Sequence, residues 1–168
     1  VTNMVGMFAS ARAFNQDIGN WKVGNVTDMF DMFNNANAFN QDIGNWDVSS
    51  VTDMGHMFWN ADSFNQDIGS WNVAAVQKMN YMFVYTDSFN QDIGNWDVSN
   101  VYYMSYMFYD ATSFNQDLSS WNAASLLYCT SFHDAPTAPT TAWWDAYGGS
   151  INSTPPLSAS LIAAGCGN

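Results

Sequence analysis

The string FNQDIGNW begins at Phe14 and returns at Phe39 and Phe89, with FNQDIGSW at Phe64 and FNQDLSSW at Phe114. The spacing is 25 residues in every case. A fixed period in the range of about 20–50 residues predicts a solenoid, in which each repeat buries its apolar face against its neighbours and not in one globular centre. The repeat therefore constrains architecture first and function hardly at all.

Aligned at 25-residue steps, the copies form columns. One holds Val1, Val26, Val51, Val76, Val101 and Leu126, and all ten methionines fall in two others, from Met4 to Met104 and from Met7 to Met107. Phe8, Phe33, Phe58, Phe83 and Phe108 follow, then Ala11, Ala36, Ala61, Thr86 and Ala111. Within a repeat the apolar spacing is i, i+3, i+6, i+7, i+10, which predicts one face of a short helix. Asn25, Ser50 and Asn100 are placed as its N-caps, and Asp28 and Asp53 lie in its first turn, where the helix dipole favours negative charge. Methionine in such a stripe reads as core filler.

The other half of the repeat, Phe14 to Val23, alternates apolar residues with small polar ones and has Gly19 in its middle, which predicts a short strand and a turn. Strands recurring once per coil would pair in parallel at about 4.8 Å. The expected fold class is therefore α/β: a leucine-rich-repeat-like solenoid over residues 1–135, with one short parallel strand and one short helix per coil. Trp21, Trp46, Trp71, Trp96 and Trp121 would stack as one ladder, and the FNQD phenylalanines as another.

The unit running Asn25-Val26-Thr27-Asp28-Met29, Met32-Phe33, Ala36, Phe39-Asn40-Gln41-Asp42-Ile43 and Trp46-Asp47-Val48 resembles the 25-residue repeat of the Mycoplasma-lipoprotein and BspA-like surface-protein family. The resemblance covers residues 1 to about 135. It implies a leucine-rich-repeat-like solenoid on a secreted or cell-surface protein associated with adhesion, and it brings no catalytic motif.

Residues 136–168 change character, with Pro136, Pro139, Pro155 and Pro156 among Thr, Ser and Gly. A terminal coil needs its apolar cross-section covered. The tail reads as that C-terminal cap, with Trp143 or Trp144 on the last coil, or as a linker to a further domain. The stretch from Leu157 to Ile162 followed by Gly165 predicts a short helix with a glycine stop. Cys129 and Cys166 are either two buried thiols or one disulfide stapling the cap. A disulfide would close a loop of about 38 residues, gain roughly 4 kcal/mol in the chain-entropy model, and imply an oxidising compartment.

The formal net charge is −12, all fifteen acidic residues are aspartate, and the only cations among Lys and Arg are Arg12, Lys22 and Lys78. So few cations cannot neutralise phosphates, which argues against nucleic acid and anionic membrane as partners. No run approaches the length of a membrane span, and no signal peptide is read. The chain opens in mid-repeat, as a mature or excised piece would.

Two candidate sites remain. The first is the column Asp17, Asp42, Asp67, Asp92 and Asp117, whose adjacent carboxylates would repel. Either amide donors from Asn15, Gln16, their copies and the backbone relieve that repulsion, or a divalent cation does, calcium first because every ligand would be oxygen. No other cofactor is expected. The second candidate comes from columns that vary between copies. Trp59, Tyr81, Tyr85, Tyr102, Tyr103, Tyr106 and Tyr109 lie outside the apolar stripe and would form one exposed aromatic patch, the usual mark of an interface.

Catalysis has little support: a glycan-acting enzyme would need two carboxylates flanking a cleft, and nothing identifies such a pair among the aspartates. His56 and His133 lie in different coils, with no catalytic residue type beside them in the sequence, and no nucleophile elbow, zinc spacing or phosphate loop occurs. The expectation is a non-enzymatic extracellular or cell-surface module for adhesion, with a protein or glycan ligand. A structural spacer packing on a neighbouring subunit or domain and a calcium-stabilised solenoid are the alternatives.

Overall fold

The structure is a computed structural model that describes residues 1–133 and 157–166. Residues 1–25 form coil 1, 26–50 coil 2, 51–75 coil 3, 76–100 coil 4 and 101–125 coil 5, with 126–133 starting a sixth. Parallel bridges join Asn3 to Asp28, Asp28 to Asp53, Asp53 to Lys78, Lys78 to Tyr103, and Tyr103 to Tyr128. Each coil thus lies on the next in the 25-residue register of the sequence.

The expected α/β content is absent. No coil holds a helix, and no strand is longer than a single bridged residue among the described residues. The bridge column even lies where the helix start was expected, at Asp28 and Asp53. Backbone hydrogen bonding explains both differences. From Met29 to Ala36, the N–H groups of Met29, Asp31, Phe33 and Asn35 donate to the carbonyls of Asp53, Gly55, Met57 and Trp59 on the next coil. Met32, Asn34 and Ala36 donate three residues back, to Met29, Asp31 and Phe33. A run of such tight turns reproduces the three- and four-residue apolar spacing of a helix while leaving alternate N–H groups free to join coils.

Asp31 and Asn35 stand in the left-handed region with φ of 59° and 57°, which a right-handed helix cannot contain. The same two places recur as His56 and Asn60, Tyr81 and Tyr85, and Tyr106 and Asp110. Nor do the residues placed as N-caps cap anything: Ser50 Oγ donates to the Gly24 carbonyl and Asn100 Nδ2 to the Ala74 carbonyl, each on the preceding coil.

The segment expected as a strand is held by side chains. Asn15 Oδ1 accepts from the backbone N–H of Asn40 at 2.9 Å and from the Gln41 amide at 3.0 Å. The pattern repeats through Asn65, Asn90 and Asn115. Backbone N–H groups that a strand ladder would use are thereby taken, and FNQD becomes an inter-coil clasp. Each buried indole adds another, with the N–H of Trp46, Trp71, Trp96 and Trp121 donating to the carbonyl of Ile18, Ile43, Ile68 and Ile93. Gly69 completes the motif. A Cβ there would lie 2.4 Å from the Asp92 carbonyl oxygen of the next coil, so only glycine permits the approach. The fifth copy, followed by no sixth in the sequence, carries Ser119 instead.

The core is a double phenylalanine ladder with methionine filling. Phe33, Phe58, Phe83 and Phe108 stack at 5.5–5.6 Å between centroids, and Phe39, Phe64, Phe89 and Phe114 at 5.8–6.0 Å. Within a coil the two ladders touch, as Phe58 and Phe64 do at 4.0 Å. Each fully buried Phe or Met contributes about 1.5–3 kcal/mol by leaving water. Thr86, alone among alanines in its column, is buried, and its hydroxyl donates to the Phe58 carbonyl at 2.6 Å.

The last coil is covered by residues 157–166. Leu157 bridges Leu118, and a short helix, α1 (Ala159–Ala163), follows, N-capped by Ser158 and stopped at Gly165 with φ of 84°. Leu161 is fully buried, Ser160 Oγ accepts from the Ala123 N–H, and Cys129 and Cys166 form a disulfide of sequence separation 37. Trp143 and Trp144 lie outside the described residues.

Candidate functional site

The variable columns converge on one side of the stack. Tyr81 and Tyr106 stack at 4.9 Å with planes 8° apart. Trp59 lies 6.0 Å from Tyr81, Tyr106 lies 5.5 Å from Tyr109, and Tyr85 meets Tyr109 edge-on at 6.0 Å. Tyr102 and Tyr103 contact each other at 5.0 Å. Tyr85 is exposed, and the other six are half-buried rather than open. Ring contacts account for part of this: Tyr81 stacks on Tyr106 and Tyr103 on Tyr128, while Tyr102 and Tyr109 meet their neighbours edge-on.

A groove of 430 Å³ brings the two halves of the patch together. Asp53, Lys78, Tyr103 and Tyr128 line it from the bridge column, and Phe30, Asn80 and Ser105 from the column two residues on. Tyr81, the residue after Asn80, completes the lining. Lys78 Nζ lies 2.8 Å from Asp53 Oδ2, and that carboxylate raises the lysine pKa. Tyr103 stacks on Tyr128 at 4.6 Å, and the loss of hydration there raises its phenol pKa. His56 sits among Phe30, Trp59 and Tyr81 at 4.8–5.0 Å, with Nδ1 3.5 Å from Asp31 Oδ1. Burial lowers its pKa, and Asp31 and Asp53 pull partly the other way.

Sequence reasoning missed Tyr128, Phe30, Lys78, Asp53, Asn80 and Ser105 as parts of this groove. Tyr128 had a usable signal, since it is the next member of the column that holds Tyr103. Asp53 and Lys78 share that column, and Phe30, Asn80 and Ser105 share another, but that the two columns line one groove became visible only in the structure.

The Asp column does something local. Each of Asp17, Asp42, Asp67 and Asp92 accepts the backbone N–H of the glycine two residues on at 2.9 Å, and Asp117 that of Ser119 at 2.8 Å. These are Asx turns. All five are exposed, so water screens their mutual repulsion. The neighbouring Asn and Gln amides, expected to serve the carboxylates, join the coils instead. The Ser119 hydrogen bonds lower the Asp117 pKa. Among the described residues, no group of three or more His, Cys, Asp or Glu is gathered tightly enough to hold a metal ion. Among the same residues, no helix is long and apolar enough to cross a membrane.

Stacked coils in 25-residue register, clasped by Asn, Gln and Trp, define a repeat protein of one unit copied. The chain matches the family described as "Mycoplasma protein of unknown function, DUF285" over residues 1–88 and again over 42–141, and it belongs to that family. No curated protein and no solved structure matches it. The disulfide fits folding in an oxidising compartment.

Proposed function

We propose that this chain is a non-enzymatic binding module, displayed outside the cell, that takes a protein ligand along the tyrosine-walled groove. One observation carries the reading. In coils 1 and 2 the left-handed position holds Gly6 and Asp31, residues that suit it, but in coils 3 to 5 it holds His56, Tyr81 and Tyr106. A bulky side chain in that region costs on the order of 1 kcal/mol or more, and the core does not require these rings. Strain kept for outward-facing aromatics marks a surface that is used.

The ring geometry favours protein over glycan. A sugar ring docks on a free aromatic face, and here Tyr81, Tyr103 and Tyr106 each have a face covered by a neighbouring ring. Edges and hydroxyls suit the hydrogen-bonding and apolar mixture of a protein surface, where tyrosine is enriched. The net charge of −12 favours a basic partner stretch. Resemblance to BspA-like surface repeats supports adhesion as the setting, and the disulfide supports an extracellular one.

The test is binding to immobilised extracellular-matrix proteins and to a glycan array, with the wild type and a Tyr81→Asn, Tyr106→Asn double variant. Asparagine suits the left-handed backbone, so the variant keeps the fold. The reading expects binding on the protein panel and a loss of at least tenfold in the variant. Binding to neither panel, or equal binding by the variant, would sink it. Binding to glycans alone would replace the protein ligand with a carbohydrate one.

A further inference from the structure

The tyrosine-walled groove carries polar groups that the fold does not use. Asn80 is part of its lining, and the side-chain amide has no hydrogen-bond partner among the described residues. Ser105, one coil on, accepts the Thr130 N–H at 3.1 Å and keeps its own hydroxyl proton to donate. Lys78 meets Asp53 at 2.8 Å, and the ammonium has further protons to give. Gly55 stands between Phe30 and Asn80 in their column. A Cβ on Gly55 would come within 3.2 Å of the Phe30 ring and 3.4 Å of Asn80 Oδ1. With no side chain at that place, Phe30 and Asn80 close over coil 3, and Gly55 is buried beneath them.

These groups match the backbone of an extended chain. The lining runs from Phe30 in coil 2 to Tyr128 at the start of coil 6. At about 4.8 Å per coil that is about 19 Å, the length of roughly six residues of extended peptide. A peptide group presents one N–H and one C=O, and the primary amide of Asn80 offers the complementary acceptor and donor. The free protons of Ser105 and Lys78 suit further carbonyls. A bound helix would leave all of them unmet, because its interior backbone groups are already paired with one another.

Charge is graded along the same path. Asp28 and Asp31 flank Phe30 in the chain, and Asp53 follows in coil 3. The field of Asp28 acts on Lys78, and those of Asp31 and Asp53 act on His56. Lys78 offsets only one of the three carboxylates. Tyr103, Ser105 and Tyr128 bring no charge to the other end. Building on the reading of this groove as a protein-binding site, we propose that its ligand is an extended peptide segment of defined pattern. Asn80 clamps one backbone amide, an apolar side chain lies against Tyr81 and Tyr103, and a lysine or arginine projects toward Asp28 and Asp31.

The test presents the whole chain to an array of capped hexapeptides that carry Lys, Glu or Ala at either end and Leu or Gly in the middle. Binding should be strongest with a Lys end and a Leu centre. Asn80→Ala should weaken it about tenfold, as the loss of two hydrogen bonds to a peptide group implies, at an unchanged melting point. The double variant Asp28→Asn, Asp31→Asn keeps the acceptor for the Phe30 N–H and suits the left-handed backbone at residue 31. It should lose the preference for Lys over Ala ends and retain the preference for Leu. Binding to no peptide, a preference for Glu ends, or equal binding by Asn80→Ala overturns the proposal. Matrix-protein binding that the Tyr81→Asn, Tyr106→Asn variant loses and Asn80→Ala keeps would overturn the clamp alone and leave the tyrosine surface as the site. Matrix-protein binding that both variants keep would overturn the two readings together.

Discussion

The first and fifth coils of the described stack are built from the same repeat and differ in what covers them. At the C-terminal end, Trp121 is 1% exposed, stacks on Trp96 at 6.4 Å, donates to the Ile93 carbonyl and lies under Ser160. At the N-terminal end, Trp21 has one tilted ring contact, to Phe8 at 5.8 Å, and open space on the other side. The same residue at the same place in the motif is core at one end and surface at the other. In a stacked repeat, burial belongs to the interface between coils and not to the coil, so sequence identity between copies does not imply equal energetic weight.

That contrast is most directly broken by truncating the two indoles. Trp121→Ala should cost about 3–5 kcal/mol, the range for removing a buried large side chain, and Trp21→Ala less than about 1 kcal/mol. Denaturant unfolding of both variants checks this, and equal costs would mean that the ends do not differ as described. The next largest effect is opening the closed end. Replacing Cys129 and Cys166 by serine should cost roughly 2–4 kcal/mol. Amide exchange in coil 5 should then rise toward that of coil 1 while coils 2 to 4 keep their protection, and uniform acceleration would show instead that the stack unfolds as one unit.

Two smaller changes sharpen the contrast by probing the middle. Tyr85 has φ of 54° in a column that holds Asn35 and Asn60, and it is exposed. Tyr85→Asn should therefore be neutral or stabilising by about 0.5 kcal/mol, a rise of about 1–2 °C in melting temperature. A clear loss would show that its edge contact with Tyr109 outweighs the strain. The smallest effect is that of His56. Burial favours its neutral form in the fold, so the unfolded chain binds the proton more readily. The contribution is intact well above pH 6.5, the ordinary imidazole value, and declines as pH falls below it. Melting between pH 7 and pH 5 should lose about 1–2 °C that His56→Asn does not lose. Asp31 and Asp53 oppose the shift.

Register, column identity and core composition were legible in the sequence because stacking forces like onto like. The backbone conformation was not. The spacing Met29, Met32, Phe33, Ala36 suits a helix and a chain of three-residue turns equally, and only the left-handed residues separate them. Gly6 and Asp31 are good left-handed formers, but Tyr81 and Tyr106 in the same column hide the signal. The tyrosine-rich side was found from the columns that disagree between copies. Its groove was not, because the column of Asp53, Lys78, Tyr103 and Tyr128 was read as the first turn of a helix and not as an extended row. The Asp column misled differently: its regularity suggested a shared role, yet each carboxylate closes its own turn.

One consequence follows from the directions of the clasps. Met29, Asp31, Phe33 and Asn35 send their N–H groups toward coil 3, whereas Thr27, Ala38, Asn40 and the Trp46 indole send theirs back toward coil 1. In an α-helix all peptide dipoles align and end charges of about half a unit build up. Here the two sides of each coil point in opposite senses and largely cancel. Lengthening such a stack adds little dipole field at its tips, so the peptide dipoles set no limit on how many coils it can hold.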